Sequence, residues 1–202
     1  MFRRGLGPRV VLALAALAAA GSLAAATSRS REEGDRLQQK LDALVQNAAA
    51  EPVQPKRTPA SESEVDSYLA FNLREKIPRG LANPEITILG NGSLAGRVMV
   101  DIDEFKRGRG TQGFMDPLSY ISGQVPVTAR GVLRTREGRG QFHLASAELL
   151  GIALPREIVQ ELVGFFTRTR ENPGGFNLEA PFNLPAKIRS VEINKGEAVA
   201  VQ

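Results

Sequence analysis

The sequence predicts an α+β fold: a long curved antiparallel sheet packed on one or two amphipathic helices. Three observations carry this. Runs of alternating apolar and polar residues recur, joined mostly by glycine-bearing turns of the hairpin kind. Two segments instead repeat apolar residues at steps of three and four, the helical spacing. Strands and helices do not alternate regularly, which argues against a parallel βαβ sheet.

The chain opens with "MFRRGLGPR", basic and free of acids, followed by the uncharged run 10–26, "VVLALAALAAAGSLAAA". Ala24 and Ala26 offer an A-x-A cleavage site before Thr27, completing the layout of a secretory signal. The run is short for a membrane span, and an uncleaved N-terminal anchor is the other reading. Either one exports the rest of the chain to the periplasm or the outer face of the cytoplasmic membrane. Three of the 26 basic residues and none of the 22 acidic ones precede Thr27, so the net charge of +4 falls to +1 beyond the leader. The basic pI is therefore no sign of nucleic-acid binding.

Residues 27–60 read as a short polar helix, with Leu37, Leu41 and Leu44 in phase, and a proline-rich linker, "EPVQPKRTPA". A single domain is expected from 61 to 202. "SESE" forms a capping box at Ser61 and Glu64, and Val65, Tyr68, Leu69 and Leu73 mark one face of a helix ended by Pro78. "EITIL" and "RVMVDIDEF" flank the turn Asn91-Gly92 and read as a hairpin, with Val98, Val100 and Ile102 facing one way. After the glycine-rich "KRGRGTQG" come a helical turn at 117–122, the strand 124–136 and the returning strand 141–150. Pro155 suits the first turn of the helix 156–166. That helix has an unusually broad apolar stripe: Ile158, Val159, Leu162, Val163, Phe165 and Phe166. A final hairpin, 188–202, places Val191, Ile193, Val199 and Val201 on one side.

The segment "FNLEAPFNLPAKI" stands apart. Phe176, Leu178, Ala180, Phe182 and Leu184 fall on every second residue, the period of an extended chain, over roughly 30 Å. Pro181 and Pro185 cannot donate to a ladder and so assign it to an edge. Such a strip closes a core or forms the lip of a groove.

Catalytic signals are sparse. The chain has no Cys and one His, which excludes Cys/His zinc sites, disulfides and thiol nucleophiles. Gly108, Gly110 and Gly113 match G-x-G-x-x-G but lack the βαβ context of a dinucleotide site. Asp101 and Asp103, read as sharing a strand face roughly 7 Å apart, are the one carboxylate pair suggesting hydrolysis; a lone D-x-D on a wet strand face is far more often solvated surface. His143, in a strand with Ala145, Ala147 and Leu149 in phase, has no partners for a triad. No enzyme, cofactor or metal is expected. Lys106, Arg107 and Arg109 in one loop, with Arg134 and Arg136 near another turn, are candidates for contact with anionic headgroups; Arg139 lies near that same turn, and Arg168 and Arg170 follow the helix 156–166.

The run "LPAKIRSVEINKGEAVAV", the Pro-preceded helix "GIALPREIVQELV" and the opening "SESEVDSYLAFNL" together resemble exported, signal-anchored bacterial proteins of the LmeA and YpmS kind, of the tubular lipid-binding (TULIP-like) group. The resemblance covers residues 61–202. It implies a curved sheet wrapped about a long helix, enclosing a groove for lipid tails, and no catalytic residue. On that basis Val163, Phe165, Phe166, Phe176, Leu178, Phe182 and Leu184 are the expected groove lining. The function expected is non-enzymatic binding of lipid or another apolar ligand at a membrane surface in the cell envelope. The alternative is a membrane-tethered structural or assembly module that binds a protein partner through a sheet edge.

Overall fold

The computed structural model describes residues 29–109 and 117–202. The leader, and Gly110 and Gly113 of the glycine-rich loop, lie outside the described residues. The helices are α1 (Arg31–Ala49), α2 (Glu62–Ser67), α3 (Ile102–Arg109) and α4 (Arg156–Phe166). The strands are β1 (Arg57–Ser61), β2 (Leu81–Gly90), β3 (Ser93–Asp101), β4 (Gln124–Arg136), β5 (Arg139–Leu149), β6 (Ile152–Ala153), β7 (Phe182–Asn183), β8 (Ser190–Asn194) and β9 (Glu197–Val201). The fold is α+β, as the sequence predicts. A six-stranded sheet runs β2-β3-β4-β5-β6, with β7 also paired to β5, and a small sheet runs β1-β9-β8. Every pairing is antiparallel.

Bulges bend the large sheet. Register slips occur in β2 on either side of Glu85–Ile88, and in β5 at Ala145, which has no partner between the pairs Gly131↔Leu144 and Arg130↔Ser146. An extra residue in one strand kinks it and increases its twist. It also reverses the alternation: Phe142 and Leu144 point into the core before the bulge, Ala147 and Leu149 after it. The expected phase of His143 with Ala147 and Leu149 is thereby corrected. His143 lies opposite Val132, half-buried on the outer face.

Two boundaries also differ from the sequence reading. Helix α1 is not a solvated tether. Leu37 and Leu44 are buried, Lys40 Nζ reaches both carboxylate oxygens of Glu64 at 2.7 and 2.8 Å, and Gln202 Nε2 donates to Leu44 O. β1 pairs along its whole length with β9. The folded unit thus begins upstream of Ser61. The pattern of α1 hid this, because a helix with three leucines on a polar body reads the same docked or free.

The helix expected to run to Pro78 also changes character. The capping box at Ser61 and Glu64 starts α2 as expected, but the chain widens into a π-turn at Tyr68–Asn72 and tightens into a 3-10 turn at Arg74–Lys76. Gly34 of α1 lies so close to this segment that a Cβ there would meet Ser67 O at 3.1 Å and collide with the Asn72 side chain.

The buried side chains form two clusters on the inner face of the large sheet. One lies under α1, α2 and the π-turn, built on Tyr68, Leu69, Ile88, Leu133 and Leu144. The other lies under α3 and α4, built on Val98, Ile102, Phe105, Leu149 and Phe166.

Candidate functional site

The seam between the two clusters is not filled. Leu69 and Leu73 of the π-turn region, with Ile77 and Pro78, form one wall. Val98 and Val100 on β3 and Val127 and Ala129 on β4 form the floor, with Leu81 and Pro84 at the rim. Val159, Leu162, Val163 and Phe166 of α4 form the opposite wall. The fifteenth lining residue is Thr167, so fourteen of fifteen are apolar. Its hydroxyl is already engaged, donating to Val163 O and accepting from Phe176 N. No lining residue is ionisable, and the surface the cleft presents is almost wholly apolar.

The local sequence explains the opening. The floor residues are β-branched or small. The wall prolines carry compact rings. Gly80, with φ of +83°, turns the chain past Phe166 so closely that a Cβ would lie 2.8 Å from the ring. The cavity amounts to about 60 Å³ and is partly open to solvent. A water-sized group needs roughly 10–15 Å³ of such space, so a few groups in a row fit, and a bulky ligand does not.

Of the lining expected from sequence, Val163 and Phe166 are on the cleft. Phe165 points away from it: its ring meets Phe105 edge-on at 5.4 Å, and the Arg168 guanidinium lies 5.5 Å from its centroid. It borders a different, mixed pocket with Gly108, Gln160 and Gly174. Phe176, Leu178, Phe182 and Leu184 are not on the cleft walls. They lie on an extended strap that closes the first core cluster, in which Leu178 is 2% exposed and Phe176 and Phe182 pack 6.0 Å apart. The period-two pattern of the strap is real, with Asn177, Glu179, Pro181 and Asn183 exposed, yet only Phe182–Asn183 joins a ladder. Side chains tie the rest. Gln160 donates to Phe176 O and accepts from Leu178 N, and Gln141 donates to Glu179 O. The other thirteen lining residues, Ala129, Val127, Leu73 and Pro84 among them, were not expected in the groove. Small residues in a strand look the same over a void as over a packed neighbour.

The cations expected at headgroups do not form one patch. Lys106 and Arg107 are on α3, which Arg109 closes, near the start of β4; Arg134 and Arg136 are at its far end, about 40 Å away at strand rise. Arg107 pairs with Glu104 at 2.8 Å and Arg136 with Glu137 at 3.1 Å. The carboxylate pair is also separated in role. β3 ends at Asp101, whose Oδ1 accepts from Glu104 N and so caps α3, while Asp103, in the first turn of α3, accepts from Gly123 N. The strand reading of Asp103 and Ile102 is corrected by that cap: a carboxylate that satisfies a helix N-terminus ends the strand there.

Three titratable groups near the cleft's helical wall are perturbed. Burial pushes Asp66 up to about 6, against the pull of Ile86 N–H at 2.6 Å and the more distant charge of Arg29. Burial also pushes Glu64 up, but hydrogen bonds from Lys40 and from Ser61 N, with the charges of Lys40 and Arg36, outweigh it and hold the group below its ordinary value. Burial raises Tyr68. All three serve the docking of α1 and α2. Among the described residues no group of three His, Cys, Asp or Glu could hold a metal ion, and no helix is long and apolar enough to cross a membrane.

No family model, curated protein or solved structure matches the chain.

Proposed function

We propose that this is a non-enzymatic protein of the cell envelope that holds a slender apolar group, a lipid tail or its equivalent, between the sheet and α4. One observation carries the reading: a cleft between two core clusters, apolar in all but one lining residue, whose one hydroxyl is internally satisfied. Filling such a cleft from its own sequence needs only larger side chains on β3 and β4. The leader-like N-terminus supports an envelope location, and the lack of any titratable group in the cleft supports binding over catalysis.

Native mass spectrometry tests this on the full chain isolated from envelope fractions without detergent. The expected result is an added mass that extracts into organic solvent and disappears in Ala129→Leu, which fills the cleft floor. A clean mass that stays clean after incubation with envelope lipids rejects the proposal.

A second reading, a tethered assembly module, is favoured by one feature. The short edge strand β6 and the turn before it expose Leu150 (55%) and Ile152 (65%), apolar side chains that a protein partner would cover. The strap is not that edge, and β8 is closed off by Thr135, whose hydroxyl exchanges hydrogen bonds with Val191.

A further inference from the structure

The cleft does not end at its apolar rim. Ile77, Pro78, Leu81 and Pro84 are shared with a second, wider pocket of about 460 Å³, whose other walls bring in Arg29, Arg74 and Arg79. The 3-10 turn Arg74–Lys76 and the turn closed by Leu81 N to Pro78 O carry Arg74 and Arg79, which both line this second pocket. Their charge is not cancelled. Glu85 takes Arg29 at 2.7 Å, and Asp66 lies 3.8 Å from it. Arg74 and Arg79 are exposed and pair with no carboxylate among the described residues. Phe71 stands on the same pocket, and the Arg31 guanidinium lies 5.5 Å from its ring centroid. A narrow apolar slot thus shares its rim with a broader chamber that carries two guanidinium groups without a carboxylate partner among the described residues.

Resting on the cleft reading above, we infer that the ligand is an anionic amphiphile: one alkyl tail enters the cleft, and a carboxylate or phosphate headgroup sits in the chamber between Arg74 and Arg79. Guanidinium forks match both oxyanions through paired N–H donors, and such charge-assisted bonds are stronger than neutral ones. The size order fits as well. The slot admits a chain and excludes rings, whereas the chamber has room for a hydrated headgroup. The headgroup cations expected from sequence, Arg134 and Arg136, adjoin no part of this cleft.

Isothermal titration of the full chain decides the matter, with dodecyl phosphate, dodecanoate and dodecyl maltoside, each below its micelle concentration, and inorganic phosphate alone. The three dodecyl probes share a tail and differ in the head. The expected result is that one or both anionic probes bind at least about tenfold tighter than the maltoside, an advantage that shrinks as salt is raised. The ratio of phosphate to carboxylate probe identifies the headgroup. The double variant Arg74→Gln/Arg79→Gln removes most of the advantage, while Arg97→Gln, an exposed cation on the far face of β3, keeps it. Equal affinity for all three dodecyl probes overturns this inference and leaves the cleft reading standing. An equal loss in Arg97→Gln also overturns it, since general charge then explains the preference. Binding of inorganic phosphate without any dodecyl contribution sinks the cleft reading and with it the amphiphile. No binding by any probe sinks both.

Discussion

The cleft and the strap are built from the same kind of residue and end in opposite states. Both present an apolar face to the interior of the large sheet. On the strap, aromatic rings fill what the backbone leaves: Phe182 lies so near Gly140 that a Cβ there would meet the ring at 2.6 Å, and Leu178 is buried. On the cleft, the floor faces α4 and the π-turn segment, which are held apart by their own attachments, the π-turn to α1 and α4 to the strap. Apolar character therefore does not decide between core and groove. What decides is whether the side chains are long enough to span the gap that the backbone attachments fix.

The sharpest way to break this comparison is to shorten the strap. Leu178→Ala removes a buried side chain whose neighbours, held by Gln160, cannot follow, and it should cost about 2–5 kcal/mol in urea unfolding. A loss below about 1 kcal/mol would mean that the strap is as loosely packed as the cleft. The two regions would then differ only in name.

The fold was largely legible in the sequence, and the site only in part. The hairpins β2-β3, β4-β5 and β8-β9 announce themselves by alternation and glycine turns, and α4 by its stripe. The alternation of the strap is equally plain, but period two records only which side chains share a face, not what that face meets. The resemblance implies a groove, and the alternating strip assigns Phe176 and Phe182 to it. The groove is lined instead by inconspicuous valines, prolines and Ala129. The bulge at Ala145 was hidden too, since one extra residue leaves no mark in composition and appears only when β5 is laid against β4. The cationic chamber had a sequence signal, "REKIPRG" after α2, but it lies between elements whose meeting only the fold supplies.

A second prediction concerns α2, which leads into the π-turn wall of the cleft and carries a buried carboxylate where the strap has none. Asp66 titrates at about 6 in the folded protein against the ordinary 3.8, so the folded state holds this proton more tightly than the unfolded state does. Its charged form costs stability at neutral pH. That cost is fully present above about 6 and is relieved as pH falls from there towards 4, by on the order of 2 kcal/mol. Asp66→Asn keeps an acceptor for Ile86 N–H and removes the titration. Urea midpoints at pH 7.5 and pH 5 should therefore converge in the variant relative to the parent. If the parent and the variant show the same pH slope, Asp66 is solvated and the wall of the cleft is looser than its hydrogen bonds imply.

The smallest effect is also the most discriminating. Ala129 and Ala147 are directly paired across β4 and β5, and both are 4% exposed. They differ in what stands over them. Both belong to the cluster that the strap closes, but only Ala129 also lines the cleft floor. Enlarging Ala147 to Leu forces side chains into filled space and should cost about 1–3 kcal/mol. The same enlargement at Ala129 extends into open space, where the added burial offsets the strain, and stability should change by less than about 1 kcal/mol. Equal penalties at the two positions would show that the cleft closes when the protein is free. Tail binding would then require α4 to move, and affinity would fall by the population of the open form. Unequal penalties mean the cleft is pre-formed, and the attachments that hold its walls apart are part of how the ligand is selected.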